Sequence, residues 1–317
     1  MFKHLLLTLH LLLSCALCAA QTPLKIITPD QPGGGMDALV RPLAEKLSVA
    51  LGRPVVVENK VGALGRIAAQ AVLGSPPDGN TVMITVQATM VISPHVYPIP
   101  YNTLTDFMPV TDLGRGSLLL LTPGTLPANN FKEFAQWLKT QPKGQVNYGT
   151  YSAGTISHFG SLLLGQELGV EMTGVHYKAS GDQVKDLVPG VVSLGWGPAA
   201  GPVAQLVKSG RLKAFAYMGS KRLPSFPDVP TIRELGYPGV EADGWIGVFV
   251  AKGTSPAIVS QLQQDMAKIF ASPDIRTLYL NFGFEPGGQT PDEFGKLVAS
   301  DYQRYGDYIK KIGFKPE

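Results

Sequence analysis

The chain has 317 residues, and its 27 Lys and Arg residues nearly balance its 24 Asp and Glu residues. Such a balanced surface has no electrostatic footprint for nucleic acid or anionic lipid, so neither is expected as a partner. A chain of about 300 residues exceeds what one hydrophobic core usually serves, so two lobes are expected.

The first 20 residues have the layout of an export signal. Lys3 supplies a positive charge, the segment 5–13 is mostly apolar, and the small residues Cys18-Ala19-Ala20 precede a cleavage point ahead of Gln21. The apolar run is too short for a permanent membrane anchor. Residues 1–20 are therefore excluded from the predicted fold, and the mature chain is expected to begin near Gln21.

Both cysteines of the chain, Cys15 and Cys18, lie inside this segment. The mature protein would then have no thiol, no disulfide and no cysteine metal ligand. In an alternative interpretation, residues 12–15 form a lipoprotein box with an acylated Cys15, although Leu13 fits such a box poorly.

From Leu24 onward, short β-branched runs alternate with amphipathic stretches, which predicts βαβ units and mostly parallel sheets. In the first part of the chain we predict strands at 24–28, 55–57 and 82–86, with helices at 39–51 and 67–73. After an apolar strand at 118–121 we predict helices at 130–140, 156–168, 182–188 and 203–208, and strands at 146–148, 175–177, 191–196 and 212–218.

A polar stretch at 219–244 leads to a returning strand at 245–250, and helices at 256–270, 275–282 and 291–312 end the chain. The helices after the returning strand need a sheet to pack on, and we expect the first lobe to provide it. The predicted lobes are therefore 21–122 with 244–317, and 123–243. Two crossings, near 122 and near 244, would form a hinge.

Two glycine-bearing loops are predicted to lie between a strand and a helix. In Pro32-Gly33-Gly34-Gly35-Met36-Asp37, glycines allow close approach of a ligand, and N–H groups at a helix start favour an anion. The alternative is a tight turn in which Asp37 completes the helix N-terminus. The segment from Tyr148 to His158 offers hydroxyls and N–H donors without a charge, which suits a carboxylate. Helix capping by Ser152 or Thr155 is the alternative there.

A catalytic interpretation would make Ser152 a nucleophile and His158 its base. The hydrolase elbow requires G-x-S-x-G, whereas Gly149 lies three residues before Ser152, so we expect no catalytic residue. His95, His158 and His176 lack metal-ligand spacing, and we expect neither a metal nor a cofactor.

Trp196 ends a predicted strand beside Gly197-Pro198. It is either part of the core or a pocket wall, and its position at a strand's carboxyl end favours the pocket.

Taken together, several motifs resemble those of the Bug family of periplasmic receptors for tripartite tricarboxylate transporters. They are the segment 32–37, Pro54 to Lys60, Pro77-Asp78-Gly79, Asn147 to His158, and Phe226 to Thr231. The resemblance implies an α/β fold of the type II-like clamp, with two lobes built on mixed or mostly parallel sheets and joined by a two-strand hinge. It further implies a receptor in the periplasm that grips a carboxylate with the loops after Thr28 and Tyr148 and delivers it to a membrane permease. We also expect the protein to be a monomer and not an enzyme.

The sequence departs from the family pattern at three places. Tyr177-Lys178-Ala179 replaces Tyr-Lys-Gly, Trp196-Gly197 replaces Phe-Asp, and Val86-Gln87 replaces a small hydroxyl-bearing pair. Because an acid is lost at Gly197, an amino-acid ligand is disfavoured. We expect an aromatic or hydrophobic carboxylate packed on Trp196, with a citrate-like or C4 dicarboxylate as the alternative.

The predicted ligand-binding residues are Gly33, Gly34, Gly35, Met36, Asp37, Gln87, Ala88, Thr150, Tyr151, Ser152, Ala153, Gly154, Thr155, His158, Tyr177, Trp196, Gly197 and Pro198. A receptor that reports its ligand to a sensor kinase is an alternative to transport, and a Ser-dependent hydrolase is a more distant one.

Overall fold

The computed structural model describes residues 22–151, 153–177 and 180–312. The predicted export signal with Cys15 and Cys18 therefore lies outside the described residues, as do Ser152 and the pair Lys178-Ala179. Among the described residues, no helix is both long enough and apolar enough to span a bilayer.

The strands alternate with helices along most of the chain. The strands are β1 (Leu24–Thr28), β2 (Val55–Asn59), β3 (Thr81–Val86), β4 (Phe107–Gly116), β5 (Leu118–Pro123), β6 (Asn147–Thr150), β7 (Thr173–His176), β8 (Leu194–Pro198), β9 (Leu212–Tyr217), β10 (Gly244–Ala251) and β11 (Glu285–Pro286). The α-helices are α1 (Gly35–Leu51), α2 (Arg66–Leu73), α3 (Ser93–Val96), α4 (Thr103–Asp106), α5 (Phe131–Thr140), α6 (Ile156–Leu168), α7 (Ser180–Leu187), α8 (Gly201–Lys208), α9 (Pro256–Phe270), α10 (Pro273–Asn281) and α11 (Pro291–Ile312).

The first sheet has six strands in the order β11-β4-β10-β3-β1-β2. Strands β1, β2 and β3 are parallel, as predicted, whereas β10 pairs antiparallel with both β3 and β4. Strand β4 is not among the predicted strands. Its apolar alternation is broken by Pro109, Asp112 and Gly114, and Asp112 is fully buried because its carboxylate accepts N–H bonds from Gly288 and Gln289.

The second sheet has five strands in the order β7-β6-β8-β5-β9, of which β7, β6 and β8 are parallel. Strand β5 is antiparallel to both of its neighbours. Both sheets are therefore mixed. Strand β8 begins at Leu194 and not at Val191, because the N–H of Val191 turns back to the carbonyl of Asp186.

The apolar periodicity that predicts α1 also buries it. Leu39, Val40, Leu43 and Leu47 pack against β1 and β3, and Gly52 ends the helix in the left-handed conformation with φ +63°. Removing a buried leucine side chain from such a core typically costs about 2–5 kcal/mol. Helix α1 is thus held rigidly above the sheet, and its N-terminus lies at the carboxyl edge of β1.

The chain crosses between the sheets twice, at adjacent positions. The first crossing is at Ser117, between β4 and β5, and it lies earlier than the position near 122 predicted from the sequence. On the returning crossing, Gly244 pairs with Gly116, and the carbonyl of Ala242 accepts a hydrogen bond from Ser117 Oγ. The predicted strand at 118–121 therefore belongs to the second sheet, because the crossing at Ser117 precedes it.

Candidate functional site

Loops of the two sheets meet at their carboxyl ends. A Cβ placed on Gly154, in the loop after β6, would lie 3.7 Å from Leu64 Cδ1, in the loop after β2. Ligands of open α/β sheets bind beyond the carboxyl ends of the strands. The interlobe space between these two loops is therefore the candidate site.

The loop after β2 is strained at this contact. Ala63 and Leu64 both adopt left-handed conformations, with φ of 50° and 51°. Such conformations cost of order 1–3 kcal/mol each and concentrate at functional sites. Neither residue was among the predicted binding residues, although the glycine pair Gly62 and Gly65 around them is a sequence signal for an irregular loop.

The N-terminus of α1 is already occupied by a carboxylate of the chain itself. Asp30 Oδ2 accepts the N–H groups of Met36 (2.9 Å) and Asp37 (3.0 Å). A Cβ on Gly34 would lie within 2.3 Å of that oxygen, so Gly34 gives room to Asp30. The anion cradle predicted at Gly33 to Asp37 is thus filled by Asp30, a residue that the sequence analysis missed.

Asp37 braces the same loop from the other side. Its carboxylate is only 2% exposed and accepts hydrogen bonds from Gly33 N (2.8 Å), Arg41 Nε (2.7 Å) and Asn59 Nδ2 (2.9 Å). The Arg41 bond, with smaller contributions from the other two donors, lowers the pKa of Asp37 to about 2. This geometry matches the alternative in which Asp37 completes a tight turn.

The two remaining residues of this segment are oriented differently from each other. Met36 packs against the core beneath α1, whereas the Cβ position of Gly35 opens into free space.

The N-terminus of α6 differs from that of α1. Thr155 is its N-cap residue, and its side chain makes no capping bond. Instead, Thr155 Oγ1 lies 3.0 Å from Ser157 Oγ, and the Tyr151 side chain hydrogen-bonds both residues. Burial nevertheless raises the pKa of Tyr151 to about 12. The helix start is thus surrounded by neutral hydroxyls, which suits an anion.

His158 shapes the loop that precedes α6. It is 5% exposed, and its Nδ1 accepts the N–H of Gly154 at 3.1 Å. Burial, together with the nearby His176, lowers the pKa of His158 to about 4, so the ring is neutral at pH 7. Gly154 has φ +72°, which directs its N–H towards this ring. Thr150 Oγ1 lies 3.0 Å from His176 Nδ1 and completes the arrangement.

The structure thus gathers Thr150, Tyr151, Gly154, Thr155 and His158 around one helix start. Ala153 is a half-buried member of the same loop, and Ser152 lies outside the described residues.

Trp196 is part of the core and does not form a pocket wall. Its ring is fully buried, so no water-sized space is open to it. The ring packs closely on Gly160 of α6, where an added Cβ atom would lie 3.2 Å from Trp196 Nε1. The ring faces α6 because side chains alternate along β8, and Gly197 on the opposite face lies against Leu121. Pro198 is half-buried at the end of the strand.

Other predicted residues are engaged within the protein. The hydroxyl of half-buried Tyr177 donates to Asp186 Oδ2 at 2.6 Å, and burial with this bond raises its pKa to about 12. Gln87 is 2% exposed, and its amide donates to Asp243 O and Asp301 Oδ2. The half-buried Ala88 begins a π-helix, Ala88–Ile92, a local feature that is frequent at functional sites.

Gln183, which was not among the predicted residues, joins two neighbouring strands. Its Nε2 donates to Gly149 O (3.1 Å) in β6 and to Trp196 O (3.2 Å) in β8. A Cβ on Gly195 would collide with this amide at 2.3 Å. Gly149 and Gly195, which pair across the two strands, were the sequence signal for a side chain packed between them.

Within the described residues, no group of three or more His, Cys, Asp or Glu side chains is placed to hold a metal ion.

Comparison with known proteins gives a family for this chain. The family model for the tripartite tricarboxylate transporter family receptor matches residues 39–314. Protein BugT of Bordetella pertussis is 33% identical over 297 residues, which are 92% of this chain and 90% of BugT.

Two solved structures from Rhodopseudomonas palustris are also similar. Rpa4515 with adipate has a TM-score of 0.82 at 31% identity and covers 94% of this chain and 99% of its own. MatC (Rpa3494) with bound malate has a TM-score of 0.78 at 28% identity, with 91% and 99% covered.

These findings confirm the fold expected from the resemblance, an α/β clamp of two lobes built on two mixed sheets. The relatives are binding receptors and not enzymes. The chain belongs to the tripartite tricarboxylate transporter receptor family, among the Bug-type receptors.

Proposed function

We propose that this protein is a periplasmic receptor that binds a small carboxylate between its lobes and delivers it to the membrane permease of a tripartite transporter. The observation that carries the proposal is the start of α6, where the neutral hydroxyls of Tyr151, Thr155 and Ser157 surround the helix N-terminus. Helix N-termini favour anions. The start of α1 does not compete, because Asp30 already fills it.

We propose lobe boundaries at the two crossings, so that β5 to β9 belong to the second lobe and all other strands to the first. The first lobe then contributes Leu64 to the interlobe space, and the second contributes Gly154. Export through the N-terminal segment and function as a monomer are parts of the same proposal.

For the ligand we propose an aliphatic carboxylate. The similar receptors Rpa4515 and MatC were solved with adipate and malate, which are aliphatic dicarboxylates. An aromatic ligand would need Trp196 as a pocket wall, and that ring lies in the core. One carboxylate of the ligand would face the start of α6, because the first lobe presents the negative charge of Asp30 beside the cleft.

Binding of adipate, malate and benzoate, measured by calorimetry on the purified protein, tests this proposal. The variant Gly154→Ala should weaken the binding of the preferred acid by at least about tenfold. An alanine there either keeps a strained φ of +72° or turns its N–H away from His158.

Gly144→Ala is the matched control. Gly144 has φ +76° in an exposed loop, and nothing lies within 4 Å of its Cβ position. Both variants should therefore lose similar stability, about 1–2 kcal/mol, while only Gly154→Ala loses affinity. Equal affinities in the two variants would contradict the placement of the site, and benzoate as the tightest of the three acids would contradict the ligand class.

A further inference from the structure

A buried carboxylate on the C-terminal helix gathers three hydrogen bonds beside the lobe crossings. Asp301, on α11, is 4% exposed. Its Oδ2 accepts Gln87 Nε2 (2.6 Å) and Trp245 Nε1 (2.9 Å), and its Oδ1 accepts Arg304 Nη2 (2.9 Å). A carboxylate this well satisfied is a rigid anchor, because losing it leaves buried donors without partners.

Gln87 extends this network to the backbone of the returning crossing. Its amide also donates to the carbonyl of Asp243 at 3.1 Å, one residue before β10 begins. Its Oε1 lies 3.4 Å from the hydroxyl of Tyr305, also on α11. The crossing is therefore fixed to the C-terminal helix through one buried amide, and any rotation that turns the Asp243 carbonyl must break that bond.

The same helix also contacts α6, whose N-terminus is the candidate anion site. The Tyr308 hydroxyl lies 3.4 Å from the carbonyl oxygen of Phe159, and the two rings meet edge to face with centroids 5.6 Å apart. The ring of Tyr305 lies 6.4 Å from that of Phe159. Helix α11 therefore touches both the crossing and the helix that would hold the ligand.

We propose that Asp301 is a positioning residue for ligand binding. Through Gln87 it holds the Asp243 carbonyl, and so it limits the angles at which the second lobe can face the first. Ligand binding needs both lobes in one relative position, so any extra freedom of the crossing must be lost again on closure, which weakens affinity. The part of this inference that concerns affinity rests on the proposed function, whereas the part that concerns lobe geometry does not.

The variant Asp301→Asn tests the inference with little change in side-chain volume. An asparagine oxygen cannot accept from Gln87, Trp245 and Arg304 together, and its amide faces other donors. Asp307→Asn is the matched control, because Asp307 lies on the same helix, is exposed, and accepts a glutamine amide, that of Gln303 at 2.9 Å. Gln87→Met removes the amide that joins Asp301 to the Asp243 carbonyl. This variant tests the positioning role if Asp301→Asn does not fold.

Small-angle X-ray scattering of the ligand-free proteins is the first measurement. Asp301→Asn and Gln87→Met should give broader interatomic distance distributions and larger radii of gyration than the wild type and Asp307→Asn. Scattering curves that superimpose on the wild type, even with a lowered melting temperature, would show that the network only stabilises the fold, and would overturn the inference.

The second measurement is adipate affinity, by calorimetry and by stopped-flow kinetics. The dissociation constant of Asp301→Asn should rise about tenfold, mainly through a faster off-rate, while that of Asp307→Asn stays within about twofold. Wild-type affinity in Asp301→Asn would refute the positioning role. If the wild type itself does not bind adipate or malate, the proposed ligand class fails, and the scattering result still decides the role of Asp301 in the crossing.

Discussion

The neutral ring of His158 should make stability depend on pH in a predictable direction. Burial and the nearby His176, whose ring centroid is 4.5 Å away, lower the pKa of His158 from its ordinary 6.5 to about 4. Between these two values the unfolded chain binds a proton that the folded chain does not. The free energy of unfolding is therefore highest, as far as His158 is concerned, above pH 6.5. It falls as the pH is lowered from 6.5 towards 4.

The magnitude follows from the pKa difference. Each pKa unit corresponds to about 1.4 kcal/mol, so lowering the pH from 7.5 to 5 should remove about 2 kcal/mol of the free energy of unfolding through His158. Asp37 contributes little in this interval, because its pKa is held near 2. Burial raises the pKa of Asp243, which opposes the slope and acts equally in the two proteins compared below. Burial also lowers the pKa of His95, which adds to the slope in the same direction.

Urea unfolding at pH 7.5, 6 and 5 measures this effect, with His158→Gln for comparison. A glutamine oxygen can accept the Gly154 N–H but cannot take up the proton, and His95 acts equally in both proteins. The wild type should therefore lose about 2 kcal/mol more than the variant between pH 7.5 and pH 5. Parallel pH profiles of the two proteins would refute the assignment of a buried neutral ring that accepts the loop amide.

Two further predictions separate core from site. Trp196→Ala should lower the free energy of unfolding by about 3–5 kcal/mol and leave the adipate affinity of the folded protein within about twofold. Denaturant titration and calorimetry measure the two effects, and a large loss of affinity at unchanged stability would restore Trp196 as a pocket wall. Asp30→Ala should cost about 0.5–2 kcal/mol through the lost helix cap without weakening adipate binding; a tenfold fall in affinity would place Asp30 against the ligand.

Local sequence patterns were sufficient for most elements. The apolar spacing that predicts helices at 256–270 and 291–312 gives the bounds of α9 and α11 as the structure has them. Such patterns report which face of a segment is buried, and burial dominates the choice of secondary structure. They failed at β4, where Asp112 is buried by partners more than 170 residues away in the chain.

The sequence also identified the two glycine-bearing loops, because glycine between a strand and a helix indicates an irregular backbone whatever surrounds it. It could not decide what each loop binds. That depends on Asp30 folding back over Gly34, and on His158 accepting the amide of Gly154. Both arrangements depend on side-chain direction within the folded loop, which residue types alone do not encode.

The sequence by itself determined the alternation of strands and helices and the resemblance to the receptor family, because both reside in local patterns and short motifs. Only the tertiary structure decided that Trp196 faces the core, that Gln87 joins Asp301 to the carbonyl of Asp243, and that Leu64 meets Gly154. These pairings join residues far apart in the chain, and they follow from the order and register of strands in two sheets, which no single segment specifies.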